Sequence, residues 1–160
     1  MKNKLFIICM FLIFILVSCS SENTIDNKEE ANKNEDEIID SEDNDMNLVL
    51  KIDNNILDVN WENNNSVNEL KKLAKNELVI NMHEYGGFEQ TGSIGKSITR
   101  NDSNIDVVPG DIVLYNGNAI SVFYNNSSWS YTRLGHINLS DDELKNLLKK
   151  DNVKFVLKLE

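Results

Sequence analysis

Trp129, Tyr131 and Arg133 stand two residues apart, and in an extended strand that spacing places all three on one face. Such a row can stack on a peptide or a sugar, with ring faces and a guanidinium supplying dispersion and cation–π attraction. It can equally pack a barrel wall, with Arg133 in a surface ion pair. A second group lies upstream. Tyr85, Phe88 and Gln90 sit in or beside a run holding four glycines between Gly86 and Gly95, and Arg100 follows it. Glycine admits positive φ, so this run fits either a ligand-binding loop or a tight structural turn. The candidate ligand-binding set is therefore Tyr85, Phe88, Gln90, Arg100, Trp129, Tyr131 and Arg133.

Other chemistries fail on spacing. His83 and His136 are the only histidines, and neither has a second ligand at metal-site spacing; surface or half-buried strand positions suit them better. Asp102, Asp106 and Asp111 lack the tight ligand spacing and distal glutamate of a calcium loop, and read as solvated or turn-capping groups. Gly95-Lys96-Ser97 has Gln90 where a phosphate loop needs its first glycine. Ser93 and Ser97 belong to no nucleophile elbow. No catalytic residue, metal ligand or cofactor is assigned.

Cysteine is placed for a different chemistry. Lys2 and Lys4 precede thirteen uncharged, mostly aliphatic residues, Leu5 to Val17, and Leu16-Val17-Ser18-Cys19 closes the leader. A basic start, an apolar core and a small residue before the cut make an export signal. A cysteine directly after the cut makes a lipobox, with a diacylglyceryl thioether on Cys19. The apolar run falls short of the about 20 residues that span a bilayer, whereas two acyl chains on one cysteine meet the requirement for stable anchoring. Residues 1–18 are expected to be a lipoprotein signal peptide. Cys19 is then the lipidation site, holding the chain on the extracytoplasmic face of the cell membrane. With Cys9 in the leader and Cys19 lipidated, no thiol remains for a disulfide, a cysteine zinc site or a nucleophile.

Charge divides the remainder. Residues 19–45 carry eleven acidic side chains against Lys28 and Lys33, a net of −9, whereas residues 46–160 net only −3. The acidic stretch has no aromatic residue and no glycine, so it buries too little surface to offset chain entropy. Residues 19–46 are expected to be an acidic, disordered tether, and 47–160 a single domain. An acidic balance without a basic stripe argues against a nucleic-acid partner. A peptide or protein partner fits better.

The elements that must position the candidate groups follow from hydrophobic period. Leu48, Leu50 and Ile52 alternate with polar or outward positions, as do Leu57, Val59 and Trp61. With Asp53-Asn54-Asn55 between them, the two runs predict an opening β-hairpin. Ser66 and Glu69 have the spacing of a capping box, leading into Val67, Leu70, Leu73 and Ala74 on one helical face. Strands are expected at Leu78 to His83, Asp111 to Tyr115, Ala119 to Tyr124, Ser128 to Leu134 and Val153 to Leu159. The middle pair is joined by Asn116-Gly117-Asn118. Ser140 and Glu143 form a second capping box before Leu144, Leu147 and Leu148. Strands that do not alternate with helices argue against a doubly wound fold. The expectation is a mainly β domain, a closed or nearly closed antiparallel barrel with two capping helices.

Several motifs occur in order along this domain: Tyr85-Gly86-Gly87-Phe88-Glu89-Gln90, Gly92, Ile94-Gly95, Arg100-Asn101-Asp102, Pro109-Gly110-Asp111-Ile112-Val113-Leu114-Tyr115, Phe123-Tyr124, Trp129-Ser130-Tyr131-Thr132 and Leu134-Gly135. In these the sequence resembles the bacterial cyclophilin-like domain proteins. The resemblance implies a cyclophilin-type β-barrel over 47–160. It does not carry over a prolyl isomerase site. The isomerase signature sets an arginine ahead of a phenylalanine and a glutamine; here Phe88 and Gln90 precede Arg100, and Arg133 lies far downstream. The reading that results is a membrane-anchored lipoprotein with a non-catalytic peptide- or small-ligand-binding module. The alternative is an extracytoplasmic peptidyl-prolyl isomerase acting on exported proteins.

Overall fold

Alternating apolar residues build most of the strands. The computed structural model describes residues 46–160, in ten strands and two helices. The leader, Cys19 and the acidic segment through Asp45 lie outside the described residues. Strand β1 (Leu48–Ile52) buries Leu48, Leu50 and Ile52 and pairs antiparallel with β10 (Asn152–Leu159), Leu50 opposite Leu157. Strand β10 continues to β4 (Leu78–Tyr85), and β4 to β5 (Glu89–Ser93). From β5 the sheet runs through β8 (Ala119–Phe123) and β7 (Asp111–Tyr115) to the long β9 (Ser127–Ile137). Strand β6 (Ser103–Val107) pairs with the first half of β9.

The expected opening hairpin forms by half. Strand β2 (Asn55–Leu57) does fold back on β1, with Leu57 opposite Leu50. After Asp58 the chain leaves β1, and β3 (Val59–Trp61) pairs instead with β9 at the far end of the sheet. One short segment thus touches both edges, and the antiparallel sheet nearly closes into a barrel. Asp58 marks the switch: its carbonyl accepts from the Asn138 amide at 2.9 Å and its carboxylate from the Asn138 side chain at 2.8 Å. Across the seam, Trp61 Nε1 donates to the Leu48 carbonyl at 2.7 Å. The interior is filled by fully buried Leu50, Ile80, Leu114, Ile120, Leu134 and Phe155.

Helix α1 (Asn65–Ala74) turns Val67, Leu70 and Ala74 inward and packs on β10 and β9. Its start corrects the expected capping box. Asn64, an equally good cap, accepts from Val67 N at 3.0 Å and donates to the Arg133 carbonyl at 2.9 Å, fixing the helix to β9. Ser66 is the second helical residue and donates to the Thr99 carbonyl at 2.7 Å. The Glu69 carboxylate accepts from the Thr99 amide and hydroxyl at 2.8 and 2.5 Å. Both residues clamp the chain around Thr99 rather than cap the helix. Helix α2 (Asp141–Leu148) does start on the Ser140–Glu143 box and seats Leu144 and Leu148 in the core.

Candidate functional site

The glycine run divides into a turn, 86–88, and strand β5, with Gly92 in the strand and Gly95 beyond its end. Gly86 (φ +65°), Gly87 (φ +76°) and Phe88 connect β4 to β5, with Tyr85 opposite Glu89; Phe88 N closes the turn on the Tyr85 carbonyl at 3.3 Å, and glycine admits the positive φ at both central positions. The tip is held on three sides. Glu84 Oε1 accepts from Gly87 N at 2.6 Å and from the Tyr124 hydroxyl at 2.9 Å, and Asn125 Nδ2 donates to the Gly87 carbonyl at 2.8 Å. Tyr85 and Phe88, flanking the two glycines, are therefore set by a rigid hairpin.

Strand alternation then sorts β5 between two faces. Gly92 points into the barrel, where a Cβ would come within 2.6 Å of the Ile80 side chain. Gln90 also points inward. Glu89 and Thr91 point outward, onto a second apolar cluster separate from the barrel interior: Val107, Val113, Phe123 and Tyr131, with Phe88 and Ile105 against them. Its rings form a continuous chain. Phe88 stacks on Phe123 (centroids 6.2 Å apart, planes 3° from parallel), and Tyr85 meets Phe88 edge-on at 6.0 Å. Tyr131 meets Phe123 at 5.7 Å, and Tyr115 meets Tyr131 at 5.9 Å, both edge to face. Over these rings lies an open cavity of about 520 Å³, walled by Tyr85, Phe88, Tyr115, Trp129 and Tyr131. Trp129 is 61 % exposed and Tyr85 60 %.

Of the seven sequence candidates, Tyr85, Phe88, Trp129 and Tyr131 line this cavity together. Three do not. Gln90 is fully buried, and its Nε2 donates to the Leu148 and Lys150 carbonyls at 2.7 and 2.6 Å, holding the end of α2. Arg100 pairs with Asp102 at 3.2 Å beside the Asn116–Asn118 turn. Arg133 is drawn to the buried Asp111 carboxylate and donates to the Asp106 carbonyl at 3.1 Å. It borders a separate polar groove of about 620 Å³ along with Asn64, Asn101 and Thr132. Asp111 also accepts from Val108 N at 3.1 Å and contacts His136 Nδ1 at 2.9 Å, so it caps a turn but is not solvated.

The residue that sequence reasoning passed over is Glu89. It lines the cavity yet is only 7 % exposed, and its Oε2 is out of contact with water and without a hydrogen-bond partner. Burial pushes its carboxyl above the usual range, and the Ser121 hydroxyl opposes this only in part. Burial likewise raises the Tyr131 phenol, and the charge of Glu89 adds to that shift. Tyr124 is pushed up to about 12, by burial first and then by its bond to Glu84. The available signal was an acid between Phe88 and Gln90. Treating the stretch as a loop hid the alternation that aims Glu89 at the rings.

A nearly closed antiparallel barrel with two helices is a cyclophilin-type architecture. The chain belongs to the Cyclophilin-like family, whose pattern residues 50–160 match. Searches of curated proteins and of solved structures return no match.

Proposed function

We propose that this chain is an extracytoplasmic lipoprotein. Cys19 anchors it to the membrane, residues 19–46 tether it, and the cyclophilin-like barrel binds a peptide segment or small ligand in the outer aromatic cavity. The observation that carries the binding reading is the convergence of Tyr85, Phe88, Trp129 and Tyr131 on one open cavity of about 520 Å³. Its size falls in the range of small-molecule sites, and two of its rings stay largely exposed. Exposed aromatic surface gathered in one patch is a feature of binding faces. The cavity's polar lining is Glu89 and Thr91, with His83, Ser127 and Ser128.

The second reading, a prolyl isomerase, draws on the fold and on an apolar cavity able to hold a proline ring. It lacks the donor. The chain's two arginines are Arg100 and Arg133. They pair with Asp102 and Asp111, and neither lines the aromatic cavity. Electrostatic stabilisation of a twisted amide needs a donor aimed at it.

Titration calorimetry of the full-length chain against a panel of short peptides tests the binding reading. Heat of binding should be lost in Trp129→Ala while the unfolding midpoint stays within a few degrees, since Trp129 is mostly exposed. Equal binding by this variant, or no heat from any peptide, rejects the cavity as the peptide site. A proline-peptide isomerisation assay on the same sample separates the readings: acceleration lost in Phe88→Ala favours the enzyme.

A further inference from the structure

Resting on the ligand-binding reading, we infer that the aromatic cavity takes a positively charged alkylammonium group, with Glu89 as its counter-ion and the rings of Tyr85, Phe88, Trp129 and Tyr131 around it. Three observations converge. The carboxylate lines the cavity, is more than nine-tenths buried, and keeps one oxygen without a partner. No lysine or arginine lines the cavity, so no cation among its walls answers Glu89; the one basic group there is His83, exposed at the rim. Five of the lining residues are aromatic, and aromatic rings attract cations through their quadrupoles, most strongly where water is excluded.

The same features set the ligand class. An anion meets both the carboxylate and the negative ring faces. A hydrated metal ion needs several oxygen ligands, and no group of three His, Cys, Asp or Glu able to hold one occurs among the described residues. A neutral apolar group satisfies the rings but leaves the buried Glu89 carboxylate without a counter-ion. An alkylammonium brings apolar methyl or methylene surface to the rings and a diffuse charge to the acid. Its source is either a small quaternary amine or a lysine side chain of a peptide. The cavity is open enough for a side chain to enter while its backbone stays outside.

The test is a titration of the full-length chain, followed by NMR of the Trp129 indole, with choline and with 3,3-dimethylbutan-1-ol, in which carbon replaces the charged nitrogen. N-acetyl-lysine methylamide forms a third arm. One of the two cations should bind on the order of tenfold more tightly than the neutral alcohol. That advantage should vanish in Glu89→Gln, which retains the rings and still binds the alcohol. Preference for choline assigns a small quaternary amine, and preference for the lysine derivative assigns a peptide side chain. Equal binding of cations and alcohol overturns the charge inference and leaves the cavity as an apolar site. No perturbation by any probe overturns the inference as well, and the peptide calorimetry above then decides the parent reading by itself.

Discussion

Glu89 and Gln90 are neighbours on β5 and serve opposite sides of the sheet. Gln90 reaches inward to hold the Leu148 and Lys150 carbonyls, while Glu89 faces outward beneath the aromatic cavity. One peptide unit separates a structural amide from a candidate ligand group, and their substitutions should behave oppositely.

Gln90→Ala removes two hydrogen bonds and leaves carbonyl groups at the end of α2 without their donor. A loss of about 2–3 kcal/mol is expected, read as a lower midpoint in urea unfolding, with cavity binding preserved in the folded fraction. Equal stability would show that water replaces the amide.

Glu89→Gln should stabilise the domain at neutral pH. The folded carboxyl titrates above its ordinary value of 4.5 because burial disfavours its charge. Its effect on stability is therefore most favourable below the unfolded value and is lost as pH rises through the folded one. The gain from the substitution should appear at pH 7–8 and shrink below about pH 4.5. A pH-independent difference between wild type and variant would contradict this.

Glu69 and Glu143 run the other way. The Thr99 hydroxyl and amide hold the Glu69 carboxyl below 4.5, and those of Ser140 do the same for Glu143. Their contributions are present above the unfolded value and lost as pH falls through the folded values. Replacing both with Gln should flatten the acid limb of the stability curve, measured by thermal unfolding between pH 2 and pH 6. Ser140→Ala, which removes the realised cap, should lower stability by about 1 kcal/mol at pH 7.

Gly86→Ala should disturb the hairpin and the cavity together. The residue sits at φ +65°, and a Cβ there would come within 2.3 Å of the Phe88 ring. Strain of about 1 kcal/mol or more is expected, with altered ring chemical shifts at Phe88 and Tyr85. Unchanged ring shifts would mean that the turn relaxes without moving Phe88.

The elements that could be read from sequence were those whose local signals agree with their tertiary role. Strand β1, the β7–β8 hairpin and the Ser140 cap combine period, turn chemistry and burial, and all three stand as expected. The α1 box was misread because Ser66 and Glu69 have capping spacing, but tertiary contact with Thr99 claims both. Strand β6 carries a weak pattern, with only Val107 fully buried, and exists through its pairing with β9. That Trp129 and Tyr131 share one cavity was legible because strand period places them on one face. Arg133 left the row because Asp111, a buried charge whose position no local pattern reveals, attracts it. The outer cluster around Phe123 escaped notice because β8 is buried on both faces, and alternation is silent where both sides are covered.

The switch at Asp58 also orders events in time. Residues 59–61 must find 135–137 before the sheet closes, so the search spans more than half the domain and closure entropy delays it. Until that contact forms, β3 and one margin of β9 present unpaired backbone to other chains. Refolding should therefore be slow and concentration-sensitive at its final step, with the Glu62 amide, which donates to the Leu134 carbonyl, acquiring exchange protection after the amides of the local β7–β8 hairpin.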